Sequence, residues 1–206
     1  MKIFLDTADL TEIKRWFPMI DGVTTNPLIL EKDGGDVVEI AKFISPMPIS
    51  IEACGNLIDD ARYWSKALKN AVIKIPFLNP FGGHNLGIVY DLSEEGIEIN
   101  CTVCFSLSQL ILAEKAGARY VSLFAGRVED EGGNFTHIIK DFSECNKCGT
   151  ELIVGSMRTV GMVLDSIRAG ADIVTIPPAI LDKMVMHQNA LMTSREMEDA
   201  NNRLSK

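Results

Sequence analysis

Short apolar runs rich in Val and Ile alternate with helix-like segments along nearly the whole chain. Such runs predict buried strands, and the segments between them have helical spacing and often stop at Gly. The predicted strands comprise residues 2–6, 22–25, 48–53, 70–76, 97–103, 119–124, 151–155 and 172–176. Eight strands with intervening helices in about 200 residues predict an α/β protein that forms a single (β/α)8 TIM barrel.

The predicted barrel domain comprises residues 1–206, with a helical tail from about residue 178. The main alternative is an open, doubly wound sheet, which needs a glycine-rich phosphate-binding loop early in the chain. No glycine follows the first strand until Gly22, so that loop is missing and the barrel is preferred.

The composition is that of a globular protein, with 47% hydrophobic and 23% charged residues and a net charge of −8. This charge argues against nucleic acid or an anionic membrane as the main partner, although a local basic pocket can still hold a phosphate. No apolar run approaches the ~20 residues of a membrane span. Because the first residues already form a predicted strand, no signal peptide is expected, and the protein is predicted to be cytoplasmic.

The five cysteines include two Cys-x-x-Cys spacings, Cys101/Cys104 and Cys145/Cys148, which is a pattern found in zinc sites. The first pair lies in a predicted strand, where residues three apart point to opposite faces and cannot share a metal. The second pair lies near a helix end, and a local redox role for it stays open. The sequence therefore predicts no metal and no cofactor.

Lys74 lies in the middle of the apolar run Val72–Pro76. Burial disfavours an ammonium group, lowers its pKa and so favours a neutral amine, which is a nucleophile suited to forming a Schiff base with a carbonyl. The simpler interpretation is a lysine that reaches water or pairs with a carboxylate.

Polar or aromatic side chains stand at or just beyond the carboxyl ends of most predicted strands, where barrel enzymes build their sites. They are Asp6, Thr24, Asn26, Glu52, Lys74, Asn100, Thr102, Ser122, Phe124, Arg127, Ser156, Arg158 and Thr175. Singly, they have simpler interpretations: Asp6 and Ser156 as helix caps, Asn26 as a turn residue, the arginines as solvated charges. Together, a lysine, carboxylates, amides and an arginine-lined anion site on the loops after strands six and seven suit a sugar phosphate that carries a carbonyl.

Several motifs match a known family in order along residues 1–180. Among them are Phe4–Thr7, Gly22–Pro27, Val72–Pro76 and Gly155–Arg158. The chain resembles the small bacterial transaldolases, a group that also contains fructose-6-phosphate aldolase. The resemblance implies a (β/α)8 barrel and class I aldol chemistry without a metal, in carbohydrate metabolism and the pentose phosphate pathway.

The resemblance also implies roles for the strand-end residues. Lys74 forms the Schiff base, Asp6 is the acid/base of carbon–carbon cleavage, and Glu52 and Thr102 hold the catalytic water. The remaining roles are substrate-hydroxyl binding by Asn26, Asn100 and Ser122 and phosphate binding by Arg127, Ser156 and Arg158.

Glu52 and Phe124 resemble the transferases of this group, since the aldolases tend to carry Gln and Tyr there. The expected function is transfer of a dihydroxyacetone unit from sedoheptulose 7-phosphate or fructose 6-phosphate to an aldose phosphate. The alternatives are fructose-6-phosphate aldolase activity, distinguished by release of free dihydroxyacetone, and a sugar-phosphate-binding barrel without turnover.

The resemblance implies a homo-oligomer, either a pentamer or a decamer. However, Met197–Lys206 lacks the aromatic-rich helix that contacts neighbouring subunits in relatives. The segment Phe77–His84 also departs from the short segment containing Thr and Glu that usually follows strand four.

Overall fold

Eight parallel strands form a closed barrel in chain order in the computed structural model, which describes residues 1–145 and 149–205. The first strand pairs with the last through Lys2–Leu5 and Ile173–Ile176. The strands are Lys2–Asp6 (β1), Gly22–Thr24 (β2), Ile49–Glu52 (β3), Ala71–Pro76 (β4), Ile99–Cys104 (β5), Tyr120–Phe124 (β6), Glu151–Gly155 (β7) and Ile173–Ile176 (β8). The (β/α)8 barrel expected from the sequence is confirmed.

Helices follow the strands and cover the outside of the barrel. Several begin at a side chain that accepts backbone N–H groups, including Asp9, Asp36 and Asn56. The helices are Leu10–Trp16 (α1), Pro27–Asp33 (α2), Val37–Ile44 (α3), Leu57–Ala67 (α4), Leu86–Glu94 (α5), Leu107–Lys115 (α6), Ala125–Asp130 (α7), Phe135–Cys145 (α8), Val160–Ala169 (α9), Pro178–Val185 (α10) and Gln188–Leu204 (α11).

Two short helices, α2 and α7, are absent from the sequence-based expectation. Asn26 and Pro27 begin α2 instead of making only a turn: Asn26 Oδ1 accepts the Ile29 N–H at 2.9 Å, and Pro27 occupies the first helical turn. Helix α7 carries Arg127 and includes part of residues 129–133, an acidic segment with two glycines that the sequence predicts to be a loop. Both helices lie directly after strand ends, so they bring side chains to the carboxyl-terminal face of the barrel.

A small apolar cluster fills the barrel interior below that face. It consists of Phe4, Val72, Tyr120, Ile153 and Ile173, all at most 6% exposed. Most of them stand two residues before a polar strand-end residue, as Phe4 precedes Asp6 and Val72 precedes Lys74, so they point the same way. Gly22 leaves room for this layer, because a Cβ there would lie 2.8 Å from the Phe4 ring. The polar strand-end residues thus lie next to an apolar layer inside the barrel.

Strand β5 contains a bulge at Val103, whose φ of 59° is in the left-handed region. The pairing register with β6 shifts between Cys101 and Cys104. Both thiols are buried, and a hydrogen bond to the Cys101 side chain together with burial raises the pKa of Cys104. The expectation that these cysteines point to opposite faces is therefore wrong, because it assumed an unbroken extended strand.

No group of three or more His, Cys, Asp or Glu side chains suited to a metal occurs among the described residues. Cys145 ends α8 and is exposed, whereas Cys148 lies outside the described residues, so a redox role for this pair stays open. Within the same described ranges, no helix is long and apolar enough to cross a membrane.

Candidate active site

A cavity of about 300 Å³ opens at the carboxyl-terminal end of the barrel. All the site residues expected from the sequence line it except Glu52 and Arg158. They reach it because each stands at the end of its strand or on the short helix that follows. The cavity therefore combines an amine, a carboxylate, amides, hydroxyls and a guanidinium in one space.

Lys74 is buried on β4, with only 5% of its surface exposed. Its Nζ donates a hydrogen bond to the Thr25 carbonyl oxygen at 2.8 Å and lies 3.1 Å from Glu52 Oε2. Glu52 is opposite Lys74 in the β3–β4 ladder, so the strand register itself brings the two side chains together. The amine is held by two oxygen acceptors at the bottom of the cavity.

Asp6 stands at the end of β1 in the same cavity. Burial raises the pKa of this carboxyl group, although a hydrogen bond from Thr24 and the charge of Lys74 both act to lower it. Thr24 Oγ1 donates to Asp6 Oδ1 at 2.7 Å, and Thr175 Oγ1 lies 2.5 Å from Thr24 Oγ1. Because a hydroxyl has one proton and Thr24 gives its own to Asp6, Thr175 must be the donor to Thr24.

Two polar residues on β5 face the cavity beside Lys74. Asn100 is fully buried, and its Oδ1 accepts a hydrogen bond from Ser122 Oγ at 2.7 Å. The Thr102 hydroxyl is also buried but has no hydrogen-bond partner among the described residues. A buried hydroxyl left without a partner costs about 1–3 kcal/mol, so this position favours a polar ligand or a water molecule.

The arginines predicted to bind phosphate differ in their surroundings. Arg127 on α7 lines the cavity, as does Ser156, whose φ of 61° is in the left-handed region. Arg158 instead makes two hydrogen bonds to the carboxylate of Asp130, each of 2.5 Å, and this contact lowers the pKa of Asp130. Its guanidinium group is thus paired outside the cavity.

The chain also resembles known proteins at the level of sequence. A sequence model described as Transaldolase/Fructose-6-phosphate aldolase matches residues 34–206. The chain belongs to this family. A "probable transaldolase" of Caldicellulosiruptor saccharolyticus is 41% identical over 200 residues, covering 91% of this chain and 90% of the relative. Relatives with the same description occur in Nitrosopumilus maritimus, at 39% identity and covering 91% and 88%, and in Clostridioides difficile, at 40% and covering 91% and 90%.

Proteins outside the transaldolase family also have solved structures with a similar fold. A mandelate oxidase mutant superimposes with a TM-score of 0.64 at 14% identity, covering 86% of this chain and 64% of the oxidase chain. At so low an identity the likeness concerns the barrel alone, and the family assignment rests on the sequence matches.

Some cavity residues of this family member have no role in the sequence-based expectation. Thr24 and Thr175 were expected at strand ends and line the cavity, where Thr24 donates to Asp6 and Thr175 contacts Thr24. Lys32 lines the cavity from α2. Because its position depends on a helix that the sequence interpretation did not include, Lys32 had no recognisable signal.

Gly126 allows α7 to approach the segment after β7 closely. A Cβ at this position would lie 2.5 Å from the Ser156 carbonyl oxygen and 2.8 Å from Arg158 Nε. We therefore expect Gly126→Ala to displace Ser156 and to lower the free energy of unfolding by about 1–3 kcal/mol, measured by urea denaturation.

Gly87→Ala in α5 is the matched control, because nothing lies within 4 Å of a Cβ there. That change should stabilise the protein slightly, by about 0.5 kcal/mol, since alanine favours a helix over glycine. Equal stability of the two variants would contradict the tight contact at Gly126.

Proposed function

We propose that the protein is a transaldolase that transfers a dihydroxyacetone unit from a ketose phosphate to an aldose phosphate through an imine on Lys74. The observation that carries this proposal is the amine of Lys74, 3.1 Å from the Glu52 carboxylate, in a cavity that also holds Asp6. Membership of the transaldolase/fructose-6-phosphate aldolase family and the descriptions of its relatives support the same activity.

The first step is attack of the neutral Lys74 amine on the ketone carbon. The ammonium group must lose a proton beforehand, and Glu52 is the nearest carboxylate acceptor. Addition gives a carbinolamine, which takes up a proton on its hydroxyl group and loses water to form the iminium. The buried Thr102 hydroxyl faces this space and is suited to hold that water.

The second step breaks the bond between the third and fourth carbons of the sugar. Asp6 accepts the proton of the fourth-carbon hydroxyl, an aldehyde forms, and the bonding electrons move into the iminium to give an enamine on Lys74. In the transfer, the enamine attacks the aldehyde of the acceptor, and Asp6 returns the proton to the new hydroxyl. A raised pKa suits Asp6 to both directions, because it lies closer to the working pH.

The other cavity side chains suit the recognition of sugar hydroxyls and phosphate. Asn100 and Ser122, already hydrogen-bonded to each other, offer an amide N–H and hydroxyl lone pairs to the three-carbon unit. Asn26 uses its Oδ1 to cap α2, which leaves its N–H groups for the substrate. Arg127 and Ser156 supply a cation and a hydroxyl for the phosphate, and Arg158 joins them on release from Asp130.

A lyase that cleaves fructose 6-phosphate to free dihydroxyacetone is the second candidate. Phe124 favours the transferase: its ring lies in the cavity wall, 5.9 Å from the Phe105 ring, and brings no hydroxyl that would hold a second water. Without that second water as a proton source, the enamine is protonated more slowly and so waits for an acceptor aldehyde. A homo-oligomer is also proposed, since Met192, Met197 and Leu204 are exposed on α11.

The deciding experiment is borohydride reduction of the protein with fructose 6-phosphate, in the presence of EDTA, followed by mass spectrometry of intact protein and peptides. We expect a stable adduct of a three-carbon unit or of the whole sugar on the peptide containing Lys74, absent from Lys74→Ala. Erythrose 4-phosphate should discharge the three-carbon adduct if the enzyme is a transferase. No adduct on folded wild-type protein would overturn the proposal.

A further inference from the structure

Lys32 places a positive charge at the mouth of the cavity, and the proposed function assigns it no role. It stands in the last turn of α2, and its side chain lines the cavity while remaining 83% exposed. Its Nζ lies 3.3 Å from Oδ1 of the neighbouring Asp33, whose own side chain is 11% exposed. Because the lysine end of this contact is solvated, the pairing holds Lys32 only weakly, and an anionic ligand can compete for it.

Asp33 fixes the backbone from which Lys32 projects. The other carboxylate oxygen, Asp33 Oδ2, accepts hydrogen bonds from Thr7 Oγ1 at 2.6 Å and from the Ala8 N–H at 3.0 Å. These contacts tie the end of α2 to the segment that follows Asp6. The base of the Lys32 side chain is therefore anchored beside the cavity, and only its flexible end must move to meet a ligand.

Arg127 reaches the same cavity from the other side of the barrel. Lys32 follows β2 and Arg127 follows β6, and these strands are four apart in a closed ring of eight. Arg158, by contrast, lies outside the cavity lining with its guanidinium group bound to Asp130. Besides Lys74, Arg127 and Lys32 are thus the cationic side chains among the described residues that line the cavity.

We propose that Lys32 is a specificity-determining residue that binds the phosphate group of the substrate together with Arg127. A phosphate dianion has three terminal oxygens and can be contacted by cations from two sides, and a flexible lysine suits a group whose position changes with sugar length. The identity of the ligand as a sugar phosphate rests on the proposed function, whereas anion binding at Lys32 does not.

The test uses glycerol 3-phosphate and inorganic phosphate, neither of which has a carbonyl, so that binding is independent of the Schiff base. Affinities are measured by titration calorimetry at two salt concentrations for wild type, Lys32→Gln, Lys42→Gln and Arg158→Gln. Lys42 is a matched control, being an exposed lysine in the last turn of the next helix. We expect Lys32→Gln to bind roughly threefold to fivefold more weakly, with a smaller salt dependence, and Lys42→Gln to match wild type.

Kinetics provide a second readout. Lys32→Gln should raise KM for fructose 6-phosphate by a similar factor, whereas Lys42→Gln should leave KM unchanged. The proposal is overturned if wild type binds neither probe or if Lys32→Gln behaves like Lys42→Gln. Arg158→Gln tests separately whether Arg158 leaves Asp130 to bind the phosphate.

These outcomes are distinct from a failure of the proposed function. Absence of a borohydride adduct together with weaker phosphate binding by Lys32→Gln would retain the anion site and remove the aldol chemistry. An adduct on Lys74 together with unchanged phosphate binding by Lys32→Gln would retain the aldol chemistry and remove the anion site at Lys32.

Discussion

Replacing Lys74 by methionine is expected to lower kcat/KM for dihydroxyacetone transfer by at least about 10⁴-fold, because the change removes the buried amine that forms the imine. Methionine keeps the length and apolar stem of lysine without the amine. The rate is measured by coupling glyceraldehyde 3-phosphate release from fructose 6-phosphate, with erythrose 4-phosphate as acceptor, to a dehydrogenase.

The same change should lower stability, because it leaves the Glu52 carboxylate, whose side chain is only 19% exposed, without its partner. We expect a loss of about 1–3 kcal/mol in the free energy of unfolding. The double variant Lys74→Met/Glu52→Gln is the control: it should regain part of the stability and none of the activity. Activity within tenfold of wild type in either folded variant would exclude Lys74 as the nucleophile.

Asp6→Asn is expected to reduce kcat by about 10²- to 10⁴-fold, the usual contribution of a positioned acid/base. The amide keeps the shape of the side chain and the hydrogen bond from Thr24, but it cannot accept the proton of the sugar hydroxyl. Imine formation on Lys74 does not require Asp6, so borohydride should still trap the whole sugar on this variant. Loss of trapping with a normal fold would assign Asp6 to imine formation instead of cleavage.

The raised pKa of Asp6 predicts that Asp6→Asn increases thermal stability, although it lowers activity. Because burial disfavours the ionised carboxylate, its folded pKa lies above its unfolded value, and ionisation above that range weakens the folded state. Below the ordinary aspartate pKa of about 3.9, the carboxyl group is neutral in both states and the penalty disappears. Asp6→Asn should therefore unfold at a higher temperature than wild type at pH 7, with the difference shrinking towards pH 3 in calorimetric scans.

Much of the fold is readable from the sequence, because alternating apolar runs and glycine stops report strand and helix directly. The features that the sequence did not reveal depend on residues whose backbone conformation the sequence alone does not determine. Asn26-Pro27 suits a turn or a helix start, and the helix forms since Asn26 caps it. A left-handed conformation at Val103 is rare for a β-branched residue, so the bulge that turns Cys101 and Cys104 to one side has no sequence signal.

The candidate site likewise contains some residues whose positions could be predicted from the sequence and others whose positions could not. Residues at strand ends such as Asp6, Lys74 and Ser122 could be placed because a barrel brings all its carboxyl-terminal strand ends to one face. The pairing of Arg158 with Asp130 could not, since both side chains are exposed and an ion pair between two short segments leaves no periodic pattern. Lys32 was not predicted for a related reason: its position depends on where α2 ends.

The pairing of β1 with β8 makes the site depend on contact between the first and last strands of the barrel. Asp6 stands at the end of β1, yet the hydroxyl chain that orients it ends at Thr175 on β8, and Leu5 pairs with Ile176. A chain cut before residue 173 would contain all the proposed catalytic groups but no closed ring to aim them. We therefore expect such a truncated chain to be inactive, although every proposed catalytic side chain is present in it.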